Sequence, residues 1–471
     1  MKLLKNSLLF IFLIQSFTTT GQDSLRTLSS KQVTDIVKAY HPVARQADIL
    51  VDKAKADVTI ARGLFDPVLS AKVSGKTFDG TDYYTHSQPA LSIPAWYGIE
   101  FNAGIENLSG NRTDPQETIG RTSFAGITIP LAKNLLMDKR RAALQQSKIT
   151  REMSEVQKQS AINDLLLDAL HAYWNWVQQY QFMLIAGNAV TVNEKRFELV
   201  KTAWRQGDRP AIDTTEALAQ LQSFRYLYND AMLRFQNAGL ELSVYLWRDN
   251  NKPYQLPADV VPDTQLLRTG IDVASLPVFD ELITTTASRH PDLLQYNYKI
   301  DVLQVEKKLK FQELLPVFNF RYNQLGKGYN LPKTVTASLF ENNYQYGITL
   351  GIPLRLSQGR GEYRKAKLKI QETKLEQTQK QVTVINKVKA YYNELAVLKK
   401  QVALQQQQYS NYLTLQKGEE TRFFNGESSL FLINARENKV LEVQQKLAEL
   451  ETKFFKTLSS LQWAAGILYN K

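Results

Sequence analysis

The residues in this 471-residue chain that could do chemistry are few. Its four histidines, His41, His86, His171 and His290, show no metal-ligand spacing, and His41 and His290 each stand before a proline at the start of a helical stretch, so both read as structural. Asp168 and His171 lie one helical turn apart beside Trp174, a spacing at which a carboxylate could orient an imidazole base. That surface faces a core, which argues against catalysis there. Gly326-Lys327-Gly328 lacks the spacing of a phosphate-binding loop and the helix that should follow one. There is no cysteine, so neither disulfides nor thiolate metal sites can form, and the composition suits an oxidising compartment. The chain is expected to be no enzyme and to hold no cofactor or metal.

Charge and composition narrow the classes further. The net charge of +12 could suggest an anionic partner, but Lys and Arg alternate with Glu and Gln along helical faces instead of forming blocks, so nucleic acid is not an expected partner. Lys2 and Lys5 precede the apolar run Leu8–Ile14, followed by Thr18-Thr19-Thr20-Gly21, which is the layout of a secretory signal peptide over 1–21. The apolar run is far short of the ~20 residues of a membrane-spanning helix. The absence of cysteine also rules out a lipoprotein anchor.

The elements that position these residues recur. Tyr40-His41-Pro42, a helical stretch and Phe65-Asp66-Pro67 in the first half match Arg289-His290-Pro291, a similar stretch and Leu314-Leu315-Pro316 in the second. Each copy breaks a helix and starts a strand, then returns to an Ile-Pro-Leu (129–131 and 352–354) before a long helical pattern. The expected organisation is a first repeat over 22–246, with strands within about 67–130 and helices over 131–206 and 210–246. An inter-repeat segment follows over 247–279. The second repeat covers 280–471, with strands within about 316–353 and helices over 354–422 and 428–468.

Two periods divide these segments. In Val68–Phe78 and Gly98–Asn107 apolar residues alternate strictly with polar ones, Ser123–Ile129 resumes the strand character, and Val317–Leu325 and Tyr344–Ile352 are the counterparts, with Gly326–Gly328 expected to turn the second hairpin. Ten-residue alternating strands suit a transmembrane barrel, and equally a half-buried soluble sheet. From Ala132 to Gln206 there is no proline and one glycine, Gly187, a stretch of ~75 residues or ~110 Å if unbroken. Its stripe of Leu165, Leu166, Ala169, Leu170, Tyr173, Trp174 and Val177 is wide enough to pack neighbours on both sides. Two hairpins give four strands, too few to close a barrel and costly to leave open in lipid. The barrel must therefore be shared between subunits; three copies would give about twelve strands, and the residues do not select three over two or four.

With that repeated order on the page, residues 30–468 resemble the TolC family of outer-membrane efflux proteins, and Phe65-Asp66-Pro67 and Glu427-Ser428-Ser429-Leu430-Phe431 are similar to its Bacteroidetes members. The resemblance implies a mostly α fold with β, in which two tandem repeats each give a β-hairpin to a shared trimeric transmembrane barrel and long antiparallel helices form a periplasmic α-barrel. It implies an outer-membrane exit duct, passively conducting substrates from a periplasmic membrane-fusion adaptor and an inner-membrane RND or ABC transporter to the exterior, in a tripartite efflux or type I secretion system. Outer-membrane lipid and a homotrimer are the other implied partners. The alternative is a structural periplasmic coiled-coil adaptor without a pore, which has no use for lipid-facing strands.

The resemblance also places sites. Gly207, Asp208 and Arg209 are similar to one periplasmic tip turn and Gly426, Glu427 and Ser428 to the other, which would dock the adaptor. Asp213 falls where the family has an aspartate of its entrance network, while that residue's tyrosine and arginine partners are replaced by Phe423 and Ser428. Arg209, Arg422 or Glu427 could supply other bonds. A pair of entrance aspartates found in some members is matched by Phe431 and Asn434, which supports no carboxylate ring and suggests an apolar constriction or plain packing. The first hairpin region has 62 residues between its prolines (68–129) and the second 36 (317–352). The excess of 26, with Tyr83-Tyr84 and Pro94-Ala95-Trp96-Tyr97, is expected to be an added hairpin at the extracellular side, its aromatics in a membrane-interface belt.

Overall fold

The computed structural model describes residues 26–114, 117–265, 267, 271 and 278–470; the expected signal peptide lies outside them. The first half runs β1 (Arg26–Leu28), α1 (Ser30–Tyr40), α2 (Pro42–Gly63), β2 (Val68–Phe78), β3 (Thr81–Pro94), β4 (Glu100–Ser109), β5 (Gly120–Pro130), α3 (Lys139–Gln206) and α4 (Ala211–Ser243). Short strands β6 (Trp247–Arg248), β7 (Lys252–Pro253) and β8 (Val260–Pro262) connect the halves. The second half runs α5 (Phe279–Arg289), α6 (Pro291–Phe311), β9 (Val317–Lys327), α7 (Leu331–Thr336), β10 (Tyr344–Gly351), α8 (Ser357–Phe424) and α9 (Leu430–Ala464).

Local chemistry sets the helix starts. Ser29 caps α1 through a reciprocal box, its Oγ accepting the Gln32 N–H at 3.3 Å while Gln32 Oε1 accepts the Ser29 N–H at 2.8 Å. His41 and His290 begin α2 and α6 in the same way. Each Nδ1 accepts the backbone N–H two residues on, Val43 and Asp292, both at 3.2 Å, with proline at the next position where a missing N–H costs nothing. The buried stripe of α2 is Ala44, Ala47, Val51, Ala54, Val58 and Ala61, while Val43 and Leu50 are exposed.

The long helices begin later than the Ile-Pro-Leu signals suggest, α3 at Lys139 instead of 131 and α8 at Ser357 instead of 354. At α3 the reason is Asp138, whose carboxylate accepts the Arg141 N–H at 2.8 Å as an N-cap. The buried Arg141 guanidinium bonds Asp138 Oδ2 at 3.0 Å and holds the carbonyls of Asn134, Leu135 and Leu136 at 2.6, 3.1 and 3.2 Å. Those carbonyls are spent on a side chain and cannot start a helix. The other helix ends fall at Ser243, Phe424 and Ala464, within a few residues of the expected ones or, for α9, four short of 468.

The sheet is a six-stranded antiparallel meander in the order β10-β9-β5-β4-β3-β2. The first repeat thus supplies four strands, and the added hairpin expected from the 26-residue excess is present. β2 and β3 turn at Asp79-Gly80, but Ala95-Trp96-Tyr97, expected at the extracellular side, lie in the β3–β4 turn at the opposite end. Trp96 packs on Phe65 at 5.2 Å, beside the Pro67 that starts β2, and the Arg141 guanidinium sits 5.6 Å over Tyr97. Residues 95–99 therefore belong to the helical end of the sheet, and Tyr83 and Tyr84 to the loop end, where Tyr83 meets Arg112 and Lys76. Strand β9 runs through Gly326 and Lys327, so these residues do not turn the hairpin. The β9–β10 connection instead carries α7, held by Thr334 Oγ1 against Ser123 Oγ at 2.8 Å and by Phe340, tilted against Tyr322 and edge-on to Tyr344.

The trunk packs α3 against α2, α4, α6 and α9, and α8 against α6 and α9. Its main core lies near the middle of the helices, where Trp174 stacks on Phe455 at 4.6 Å, Trp176 on Phe235 at 5.8 Å, and the Tyr173 hydroxyl donates to the Leu28 carbonyl at 3.0 Å. Every residue of the stripe Leu165–Val177 named above is buried. His171 bonds Ser460 Oγ at 2.9 Å within this packing, which is the structural role the core-facing position indicated. None of the helices of described residues is long and apolar enough to cross a membrane.

Two titrations follow from this packing. Burial lowers the pKa of His41 and His290, keeping the rings neutral so that Nδ1 can accept. Groups depressed in the folded state stabilise fully above the ordinary value of 6.5, and that contribution is lost as pH falls below it. The thermal midpoint of the extracted protein should drop on acidification below 6.5. The double variant His41→Asn, His290→Asn, capped by amides that do not titrate, should drop less; equal drops would show that the rings do not carry the caps. Glu451 on α9 has the opposite sign, since burial lifts its carboxyl to about 7, so its contribution is lost as pH rises from the ordinary carboxylate range through that value. Glu451→Gln should raise the midpoint at pH 8 and leave it little changed at acid pH.

Candidate functional site

The ends of the two long helical hairpins are built alike. At the end of α3, Gly207 takes φ +83 and donates to the Trp204 carbonyl at 3.0 Å while Asp208 donates to Ala203 at 2.9 Å. After α8, Gly426 takes φ +79 and donates to Phe423 at 3.1 Å while Glu427 donates to Arg422 at 2.8 Å. Both are the double-bonded left-handed helix end that favours glycine. Pro210 then starts α4 and the Ser429 hydroxyl caps α9.

Side chains join the two turns. The Arg209 guanidinium lies 4.0 Å from the centre of the Phe423 ring, donates to the Phe423 carbonyl at 3.1 Å and pairs with Asp213 at 3.6 Å. Phe423 itself is buried against Val200, Ala217, Leu430 and Ile433. Asp213, Arg209 and Phe423 are therefore brought together. Asn434 is buried and donates to Glu216 Oε1 at 3.0 Å, tying α9 to α4, while its own Oδ1 has no bond among the described residues. Phe431 is 69 % exposed and takes no part in this packing. Arg422 faces Glu419 at 3.8 Å, and Glu427 contributes its backbone N–H while its side chain is exposed.

Two hubs were missed by the sequence reading. Buried Glu419 accepts from Ser428 Oγ at 2.6 Å and faces both Arg422 and Arg436 at 3.8 Å. Arg196 on α3 bonds Glu437 at 2.5 Å, Glu420 at 3.3 Å and Asn193 at 3.2 Å, clamping three helices. The partners of Arg196 on α8 and α9 lie more than 200 positions away, and no local spacing announces them. Beside these hubs α3 and α8 leave an apolar groove of about 460 Å³, lined by Val192, Leu199, Ala203, Phe423 and Phe424 and rimmed by Arg196.

At the other end, the register of the sheet sorts its residues by face. The rung Ile93, Phe101, Ile127, Tyr322 and Tyr346 is apolar or aromatic throughout, as is Ile129, Phe320 and Ile348. The alternate rung Asn102, Gly126, Asn323 and Gln345 is polar, with Asn102 donating to Asn323 at 3.2 Å. His86 bonds Glu106 at 2.6 Å and Ser92 bonds Glu100 at 2.7 Å on that same face. Toward its helical end the sheet is apolar on one side and hydrogen-bonded on the other, an alternation suited to a wall between an apolar phase and water, while at the loop end the first side carries the polar rung Ser87, Asn107 and Arg121.

Comparison with known proteins agrees with this arrangement. Residues 282–466 match the family model "Outer membrane efflux protein". Among solved structures, the chain is similar to the CmeC outer membrane channel of Campylobacter jejuni, at 15% identity and a TM-score of 0.62 over 93% of this chain and 86% of that one. It is also similar to the open state of the MtrE outer membrane channel of Neisseria gonorrhoeae, at 14% and 0.65 over 93% and 89%. The outer membrane protein VceC of Vibrio cholerae matches at 13% and 0.63 over 93% and 96%. No curated protein sequence matches the chain. The fold is that of TolC-like outer-membrane channels.

The Arg209 tie can be measured directly. Arg209→Ala removes a charged hydrogen bond and a cation–π contact worth together about 1.5–3 kcal/mol. Amide exchange at Phe424–Ser428 should quicken about tenfold or more, and Glu427→Ala should leave it unchanged. Unaltered exchange in Arg209→Ala would show that the turns hold without the tie.

Proposed function

We propose, from an outer membrane efflux protein domain set in a TolC-like fold, that the protein is the outer-membrane exit duct of a tripartite efflux or type I secretion assembly. The observation that carries the reading is the sheet whose one face is apolar over its rungs toward the helical end, joined to helices of 68 residues that no globular core could bury. The strands would sit in the outer membrane and the helices in the periplasm. A homotrimer closes the duct, and conduction is passive, the energy coming from an inner-membrane RND or ABC transporter through a periplasmic adaptor. In this reading residues 22–246 and 280–471 are the two repeats, and 247–279 is the segment between them.

The tip turns, Gly207, Asp208, Arg209, Gly426, Glu427 and Ser428, are the surface proposed to dock the adaptor. The entrance is proposed to close through Asp213, Arg422, Phe423, Phe431 and Asn434, with Arg209 and Glu419 as the charged centres of that closure. A coiled-coil adaptor without a pore would keep the helices but gain nothing from an apolar sheet face.

Membrane fractionation followed by native mass determination tests the reading. A trimer in the outer-membrane fraction is expected; a soluble monomer would return the sheet to an ordinary globular role and favour the adaptor. The faces give a finer test. Ile348→Arg, on the apolar face, should cost about 2–4 kcal/mol of barrel stability and deplete the membrane fraction. Thr349→Arg, one residue on and facing the other way, should assemble normally and alter conductance; equal loss in both would deny that the sheet meets lipid.

A further inference from the structure

We propose, resting on the trimeric duct above, that β2 of one copy pairs with β10 of the next, so that all six strands, the added hairpin included, lie in the barrel wall. Three copies then close eighteen strands, six more than two hairpins per chain would give.

The two outer strands are the sheet's free edges. β2 has eleven residues and β10 eight, and both are exposed almost throughout. In lipid each unpaired N–H or C=O on such an edge costs several kcal/mol, so both edges must find partners. Each is the other's fit. The meander has an even number of strands, so β10 runs opposite in direction to β2 and a copy-to-copy joint continues the antiparallel order.

The faces also continue across the joint. Leu69, Ala71 and Val73 of β2 share the face of Leu91, Ile93 and Phe101, which is the face of Tyr346, Ile348 and Leu350 on β10. Were the first two strands a flap outside the wall, Leu69 and Val73 would carry their apolar surface into water, and they are 78% and 72% exposed in the single chain. Nor is the pair loosely attached. β3 holds β4 over eight backbone pairs and through the two polar-face bonds His86–Glu106 and Ser92–Glu100.

The stagger is that of a closed wall. Following partners across the sheet from Val68, the first residue of β2, leads through Ser92, Asn102, Gly126 and Asn323 to Gln345, the second residue of β10. One chain is therefore sheared by most of a strand length across its width. Strands must tilt in this way for a sheet to meet its own edge. Since barrel diameter grows about linearly with strand number, eighteen strands give an exit about 1.5 times as wide as twelve.

The chain has no cysteine, so paired substitutions report cleanly. Ser70→Cys or Lys72→Cys combined with Thr349→Cys, all on the water-facing side, should link neighbouring copies under mild oxidation or with a short bismaleimide, giving covalent dimers and trimers. Asn102→Cys with Thr349→Cys should not. Linkage of the Asn102 pair without the Ser70 and Lys72 pairs would overturn the proposal, putting β4 at the joint and β2–β3 outside the wall, while leaving the trimeric duct intact. Monomer with no linkage of any pair would overturn the proposal and the duct reading together.

Discussion

Backbone hydrogen bonding at the edges of the sheet governs the rest of this structure. A strand inside a sheet satisfies its N–H and C=O groups through both neighbours; a strand at the edge leaves a row of them bare, which water tolerates and lipid does not. One chain has six strands and two such edges. The fold can end its strands at proline, as at Pro130, whose ring has no N–H to lose, but it cannot close a wall alone. In the proposed duct, assembly is thus a requirement of the strands, and the helices follow from it. Helices that continue a wall shared between copies must run beside partners along their length, and this accounts for apolar stripes wide enough for neighbours on both sides.

The trunk solves a different problem, which is to hold very long helices in register with few large cores. Near the middle, stacked rings of Trp174, Phe455, Trp176 and Phe235 give a conventional apolar centre. Toward the tip the apolar contacts thin to a cluster of Val200, Ala217, Phe423, Leu430 and Ile433. There the register is set by charge. Half-buried Arg196 and buried Glu419 each face several partners, a geometry in which removal of one member leaves an uncompensated charge and so penalises any slip of one helix past another.

How much of this was legible in the sequence depended on the distance over which each cause acts. Period-two alternation and the His-Pro pairs are local, and β2, β4, β9, β10 and both histidine caps follow from them directly. Gly207 and Gly426 could be read because a left-handed helix end needs the residue itself. The late start of α3 was hidden because Arg141 takes carbonyls five to seven residues back, something no propensity scale records. The 26-residue excess pointed to the added hairpin but could not say which end Trp96 and Tyr97 occupy; that is fixed by Trp96 on Phe65, a contact between two loops. Arg196 and Glu419 escaped notice because their meaning lies in partners on other helices.

The two copies of the repeat share a backbone and differ in side chains, and the difference has a direction. The same left-handed glycine end closes α3 and α8, yet at the first turn a cation, Arg209, reaches outward, and at the second a ring and a carbonyl, both from Phe423, receive it. Identical turns could not bind each other this way, since two cations would repel and two rings would leave both carbonyls bare. Duplication supplies the common geometry, and divergence then makes the halves complementary. The sheet shows the same relation on a larger scale. The second copy keeps one hairpin while the first has doubled its own, and the edges left over, one from each copy, match in direction and in the face they present. The two edges are the first strand of one half and the last of the other, unlike and opposite in direction, which is what a closed ring of subunits joined head to tail requires.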